Sequence, residues 1–150
     1  MKSMEHICVA KLADTYIGFD VQSVRSVYEI SELLTLPISL PHVLGVFNQR
    51  GKVLSVIDGP SFCQMVQNGT SSYKTLLHLE GNGGECCLTV DLVEEVKEVD
   101  QDDLRGPPAG LNSAMKVFCT QVLLDKNNRT ILILDFIRMF NVLSTVNPSV

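Results

Sequence analysis

The sequence predicts a mainly β chain made of two small packed barrels, with short helices and one C-terminal helix. Three observations carry this prediction. Apolar runs of strand length, rich in Val, Ile and Leu, alternate with turn signals along almost all of the 150 residues. A sustained helical apolar stripe occurs once, at Phe136, Met139, Phe140 and Leu143. The two halves also carry similar strings. Tyr16-Ile17-Gly18-Phe19-Asp20-Val21 with Val24 and Val27 resembles Cys87-Leu88-Thr89-Val90-Asp91-Leu92 with Val93, Val96 and Val99, and Val53 to Asp58 resembles Thr130 to Asp135. The paired aspartates lie 71 (20 to 91) and 77 (58 to 135) residues apart, as a duplicated unit of roughly five short strands requires.

Taken in order, residues 6–12 form a first strand, 13–15 a turn and 16–20 a second strand. Val21, Val24 and Val27, three apart, give a single helical or 3₁₀ turn running into another strand, because β-branched side chains disfavour a long helix. Residues 32–40 are irregular, broken by Pro37 and then Pro41. Residues 45–58 read as strand, tight turn and strand, with Asn48-Gln49-Arg50-Gly51 as the turn and Gly51 at positive φ. A short helix follows over 61–67, with Phe62 and Met65 inward, and Gln67 to Ser72 is the best linker in the chain.

In the second half, 74–80 and 85–90 are strands about the turn Gly81-Asn82-Gly83-Gly84. Val93, Val96 and Val99 repeat the three-residue spacing, and 100–110 reads as a loop. Residues 116–124 form a strand, 125–128 a hairpin turn and 130–134 its partner. Residues 135–143 are helical, with Asp135 as N-cap. The expected organisation is one domain over 6–143. Its first barrel covers about 14–67, its second covers 73–143 joined by strand 6–12, and 144–150 is a tail.

Composition excludes several functions. A net charge of −5 with no Lys/Arg cluster argues against nucleic acid. No apolar stretch approaches the roughly 20 residues of a membrane span, and the N-terminus lacks a signal-peptide apolar region, so the expected location is cytoplasmic, without direct membrane insertion. Five cysteines at irregular spacing do not make a disulfide framework, and the neighbours Cys86 and Cys87 should point to opposite faces of one strand. His6, His42 and His78 lack ligand spacing, so no metal site is expected. No P-loop and no Gly-x-Ser-x-Gly elbow occurs. Asp100-Gln101-Asp102-Asp103 lacks the Gly and distal Glu of an EF-hand loop. Neither catalysis nor a cofactor is expected.

Four stretches together resemble the CheW-like chemotaxis coupling domains. Tyr16 to Val21 with Val24 and Val27 resembles the signature Y-G-I-D followed by V-x-E-V. Leu36-Pro37 and Pro41-His42-Val43-Leu44-Gly45-Val46 resemble the lead-in. Asn48-Gln49-Arg50-Gly51 with Val53, Val56, Ile57 and Asp58 resembles N-L-R-G-x-V-x-P-V-I-D-L, and Thr130 to Asp135 resembles the closing strand. The resemblance implies two packed five-stranded SH3-like barrels and a non-catalytic adaptor. Its partners would be the cytoplasmic tip of a chemoreceptor and the regulatory domain of a CheA-type histidine kinase, in membrane-associated receptor arrays. It carries receptor contact to Val24 and Arg50, with Phe47 and Gln49 as additional contacts, and kinase contact to the second barrel. This chain departs from the pattern at Ser26, Gln49, Ser55 and Gly59, where the family has Glu, Leu, Pro and Leu. Two alternatives follow: an array-structural protein that binds the kinase but not receptors, and a redox- or ligand-responsive regulator using Cys86-Cys87 or a pocket between the barrels.

Overall fold

The computed structural model describes residues 4–30, 33–35, 37, 39–66 and 75–147. Strand β1 (Met4–Leu12) turns through Ala13 and Asp14, both at positive φ, into β2 (Thr15–Asp20). The Asp20 carboxylate accepts the Gln22 amide at 2.9 Å and caps a 3₁₀ turn, Val21–Ser23, which leads into β3 (Val24–Glu29) as the valine spacing predicted. β4 (Val43–Gln49) and β5 (Lys52–Ile57) form the next hairpin, followed by α1 (Gly59–Phe62). α1 is shorter than the expected 61–67. Gln64 sits at φ 55, a left-handed stop, and leaves Phe62 buried and Met65 half-buried. The expected linker 67–72 lies outside the described residues.

The second half opens with β6 (Thr75–Gly81) and β7 (Gly84–Val90), then β8 (Leu92–Asp100). Here the valine spacing does not mark a turn. Val93, Val96 and Val99 lie within a nine-residue strand that pairs along its length with β1, and a bulge at Val9/Ala10 resets the alternation. The matching 3₁₀ turn is displaced to Gln101–Asp103, capped by Asp100. The loop expected over 100–110 also contains β9 (Leu104–Arg105). The strand expected over 116–124 begins as a helix, α2 (Ser113–Phe118), because Asn112 Oδ1 accepts the Met115 amide at 2.8 Å and Met115 and Phe118 turn inward one helical turn apart. β10 (Cys119–Leu124) then pairs with β11 (Thr130–Leu134). Asp135 caps α3 (Phe136–Val146), as expected, with Phe136, Met139 and Leu143 buried. The helix runs past residue 143. Asn147 is buried and donates to the Pro41 carbonyl at 2.9 Å, so the tail expected from 144 is structured to 147.

Two sheets result, with strand orders β8-β1-β2-β11-β10-β9 and β3-β6-β7-β5-β4. The first has six strands rather than five, because of the two-residue β9. Both follow one scheme: a hairpin (β1-β2 or β6-β7) lies parallel to the closing strand of the other half, as β2 beside β11 and β7 beside β5. The contiguous division into 14–67 and 73–143 is therefore not the strand pairing. β2 belongs to the six-stranded sheet, and β6 and β7 to the five-stranded one.

This exchange divides the core in three. Ile7, Val9, Val99, Leu123, Ile131 and Ile133 form a cluster within the six-stranded sheet. Leu54, Val56, Leu76 and Cys87, with Tyr28, Leu44 and Phe47 against them, form one within the five-stranded sheet. Between the sheets lies a larger cluster that includes Cys8, Leu12, Phe19, Leu79, Cys86, Phe118, Leu134 and Met139. β1, β6, β7 and β11 are apolar on both faces because alternate side chains enter different clusters.

Candidate functional site

The β4–β5 hairpin presents Arg50. Gln49 pairs with Lys52, which leaves a two-residue loop. Arg50 and Gly51 both have positive φ (51 and 83), as a type I′ turn requires, and Asn48 Oδ1 accepts the Gly51 amide at 3.0 Å. The turn chemistry of residues 48–51 was thus readable, but the left-handed conformation of Arg50 was not. Arg50 is exposed and forms no ion pair or hydrogen bond among the described residues. Gln49 beside it is half-buried. Phe47 points inward, its ring centroid 5.1 Å from that of Tyr28, so it braces β4 against β3 rather than standing clear of the fold.

Val24 opens β3, at the other edge of the five-stranded sheet, and packs partly against the central cluster. Pairing register puts it at the same end of the sheet as Arg50. Val24 lies opposite Leu79, Leu79 opposite Cys86, and Lys52, two residues beyond Arg50, reaches Glu85 next to Cys86. The Tyr28–Phe47 contact shows that the sheet curls its edge strands toward each other.

A row of charges crosses this end of the sheet. In strand order it comprises Arg25, Glu80, Glu85 and Lys52. Arg25 Nη1 donates to Glu80 at 3.2 Å, and Lys52 Nζ lies 2.6 Å from Glu85 Oε1. Glu85 Oε2 is 2.9 Å from His78 Nε2, and the His78 ring, only 4% exposed, stacks on Tyr28 at 6.1 Å. The hydrogen bond from Lys52 and the one from His78 together outweigh partial burial and hold the Glu85 carboxyl below its ordinary range. A surface depression of about 340 Å³ beside the row is lined by Gln22, Glu80, Glu85 and the β6–β7 turn. Sequence reading missed this row. Its one legible trace was that Glu80 and Glu85 flank the Gly81–Gly84 turn symmetrically and so face each other.

The duplicated hairpin β10–β11 treats its arginine differently. Arg129 Nε donates to Asp125 at 2.8 Å, Nη1 donates to Glu94, and the guanidinium lies 5.0 Å over the Tyr16 ring. Arg129 is thus committed to the fold, whereas Arg50 is not.

The five cysteines are all free and buried. Cys86 enters the central cluster and Cys87 the five-stranded sheet's own core, on opposite faces as expected. Burial raises every thiol pKa, to about 12 for Cys63 and Cys87. Folded protein at pH 8 is therefore expected to react with an aromatic disulfide reagent about a hundredfold or more slower than urea-unfolded protein at all five thiols. One rapidly titrating thiol in the folded state would contradict this. His42 Nδ1 lies 2.7 Å from Ser61 Oγ and its ring packs on Phe62, while His6 is exposed on β1. Among the described residues no three His, Cys, Asp or Glu side chains converge as metal ligands, and no helix is long and apolar enough to cross a membrane.

Comparison with known proteins gives three agreeing results. A solved structure described as the scaffolding protein TtCheW from Thermoanaerobacter tengcongensis superposes with a TM-score of 0.76 at 24% identity, covering 89% of this chain and 90% of that one, and so shares the fold. A Chemotaxis protein CheW from Treponema pallidum (strain Nichols) is 20% identical over 102 residues, a match that covers 65% of this chain and 60% of that protein's length. The family model described as the CheW-like domain matches residues 6–144, nearly the whole sequence, and on that match the chain belongs to the CheW-like domain family.

Proposed function

We propose that this chain is a non-catalytic chemotaxis adaptor. It docks the cytoplasmic tip of a chemoreceptor on a surface that includes Val24 and Arg50, and the regulatory domain of a CheA-type histidine kinase on the six-stranded sheet. Such docking recruits it from the cytoplasm to membrane-associated arrays. The observation that carries the reading is the contrast between the two hairpin arginines. Arg129 is held by Asp125 and Glu94, while Arg50 has no partner among the described residues. Arg50 also occupies a left-handed conformation that costs a side-chain-bearing residue about 1 kcal/mol, and its side chain stays exposed. An exposed, uncommitted guanidinium on a rigid two-residue turn suits recognition of a carboxylate on a helical partner.

Arg50→Ala is expected to weaken binding to receptor-containing membranes about tenfold, the scale of one interface anchor, with no change in thermal midpoint. Co-sedimentation measures this, and a parallel capture with the kinase regulatory domain separates the two contacts. Unchanged receptor affinity in the folded variant rules out Arg50. Wild-type binding to the kinase domain alone assigns the array-structural role, and binding to neither overturns the adaptor reading.

A further inference from the structure

We propose that Glu85 is a positioning residue for partner binding: it holds Lys52 with one oxygen and the buried His78 with the other, and so fixes the hairpin that presents Arg50. The proposal rests on the reading of Arg50 as a partner contact, but its structural half can be tested without that reading. Lys52 is the first residue of β5 and pairs with Gln49 across the loop, so whatever restrains Lys52 restrains the turn. Two restraints meet there. On the outside, Lys52 Nζ lies 2.6 Å from Glu85 Oε1. On the inside, Phe47 packs on Tyr28, and Tyr28 stacks on His78, whose Nε2 lies 2.9 Å from Glu85 Oε2. Both paths end on the one carboxylate.

Exposed ion pairs contribute little because two mobile side chains must be ordered at once. This carboxylate is already ordered. The Glu85 side chain is 27% exposed and its second oxygen is held by a ring packed in the core. Glu85 also faces Glu80 directly across the β6–β7 pair. Opposed like charges destabilise a sheet unless each has its own cation, and Arg25 and Lys52 supply one each. Lys52 is therefore committed, which leaves Arg50 as the free cation of the hairpin among the described residues. The other ring nitrogen of His78, Nδ1, is buried with no hydrogen-bond partner among the described residues, so Glu85 is the ring's polar anchor. Exchanging Glu85 for an amide weakens both of its contacts while keeping its shape.

The test compares wild type, Glu85→Gln, Lys52→Met and Lys52→Arg by amide hydrogen exchange and by affinity for the cytoplasmic helical hairpin of a chemoreceptor. Glu85→Gln and Lys52→Met are expected to speed exchange about fivefold across residues 48–53 and to weaken receptor binding about as much, while β1 and β11 amides remain unchanged. Lys52→Arg, which keeps the cation, is expected to behave as wild type. In the Glu85→Gln/Lys52→Met double variant the effects should add only in part, because both changes break the Lys52–Glu85 contact and only the first also weakens the one to His78. Unchanged hairpin exchange in Glu85→Gln overturns the proposal, as does weaker binding without any local change, or exchange that rises equally throughout the fold. If wild type does not bind the receptor at all, the adaptor reading fails, and the exchange data still decide whether Glu85 fixes the hairpin.

Discussion

Cutting the chain within residues 67–74 is expected to yield two fragments that are unfolded alone and fold when mixed. The N-terminal fragment retains β1–β5 and the C-terminal one β6–β11. In the first, β1 and β2 lose β8 and β11, β3 loses β6, and β5 loses β7. What remains is two isolated hairpins and a single strand, an assembly that is marginal in water. In the second, β6 and β7 lose both flanking strands, and β11 loses β2. The central cluster draws on both fragments, with Leu12, Phe19 and Ile57 from one and Leu79, Leu88, Phe118 and Leu134 from the other, so neither can close it. Circular dichroism of each fragment should lack a cooperative transition. An equimolar mixture should regain the strand signal, with a midpoint that rises with concentration. If one fragment unfolds cooperatively on its own, the exchange of hairpins is not what holds the sheets together.

That exchange was illegible for a physical reason. Periodicity reports which faces of a strand are buried, not which strand lies alongside. Ile131-Leu132-Ile133-Leu134 reads correctly as a strand apolar on both faces, yet nothing in it selects Tyr16-Ile17-Gly18 as its parallel neighbour. Features set by near neighbours were legible: the cap at Asp135, the opposite faces of Cys86 and Cys87, and the buried stripe of α3. The boundary between α2 and β10 was lost because Met115 and Phe118 continue directly into the apolar run from Cys119. At the candidate site, Val24 and Arg50 came from the family resemblance. The charge row beneath them joins partners remote in sequence, Arg25 to Glu80 and Lys52 to Glu85, and no local pattern announces such pairs.

The two arginine hairpins are expected to respond oppositely to truncation. The Asp125 side chain is 0% exposed; Oδ1 accepts the Asn127 and Arg129 amides, each at 2.9 Å, and Oδ2 accepts Arg129 Nε at 2.8 Å. Asp125→Ala leaves both amides without an acceptor and the guanidinium without its main counter-ion. The expected cost is about 3 kcal/mol, measured by urea unfolding at pH 7. Burial acts to raise the Asp125 pKa, but the hydrogen bonds from Arg129 and Asn127 outweigh it and hold the carboxyl below its ordinary value. A lowered folded-state pKa means that this stabilisation is present above the ordinary carboxylate range and lost as pH falls through the folded value. The variant should therefore lose most against wild type at neutral pH, and the gap should narrow below about pH 4. Arg50→Ala, on the matching hairpin, is expected to stay within about 0.5 kcal/mol of wild type at both pH values, because its exposed side chain forms no hydrogen bond or ion pair among the described residues. A loss at Arg50 as large as that at Asp125 would mean that both hairpins use their arginines for the fold. The asymmetry on which the binding assignment rests would then be gone.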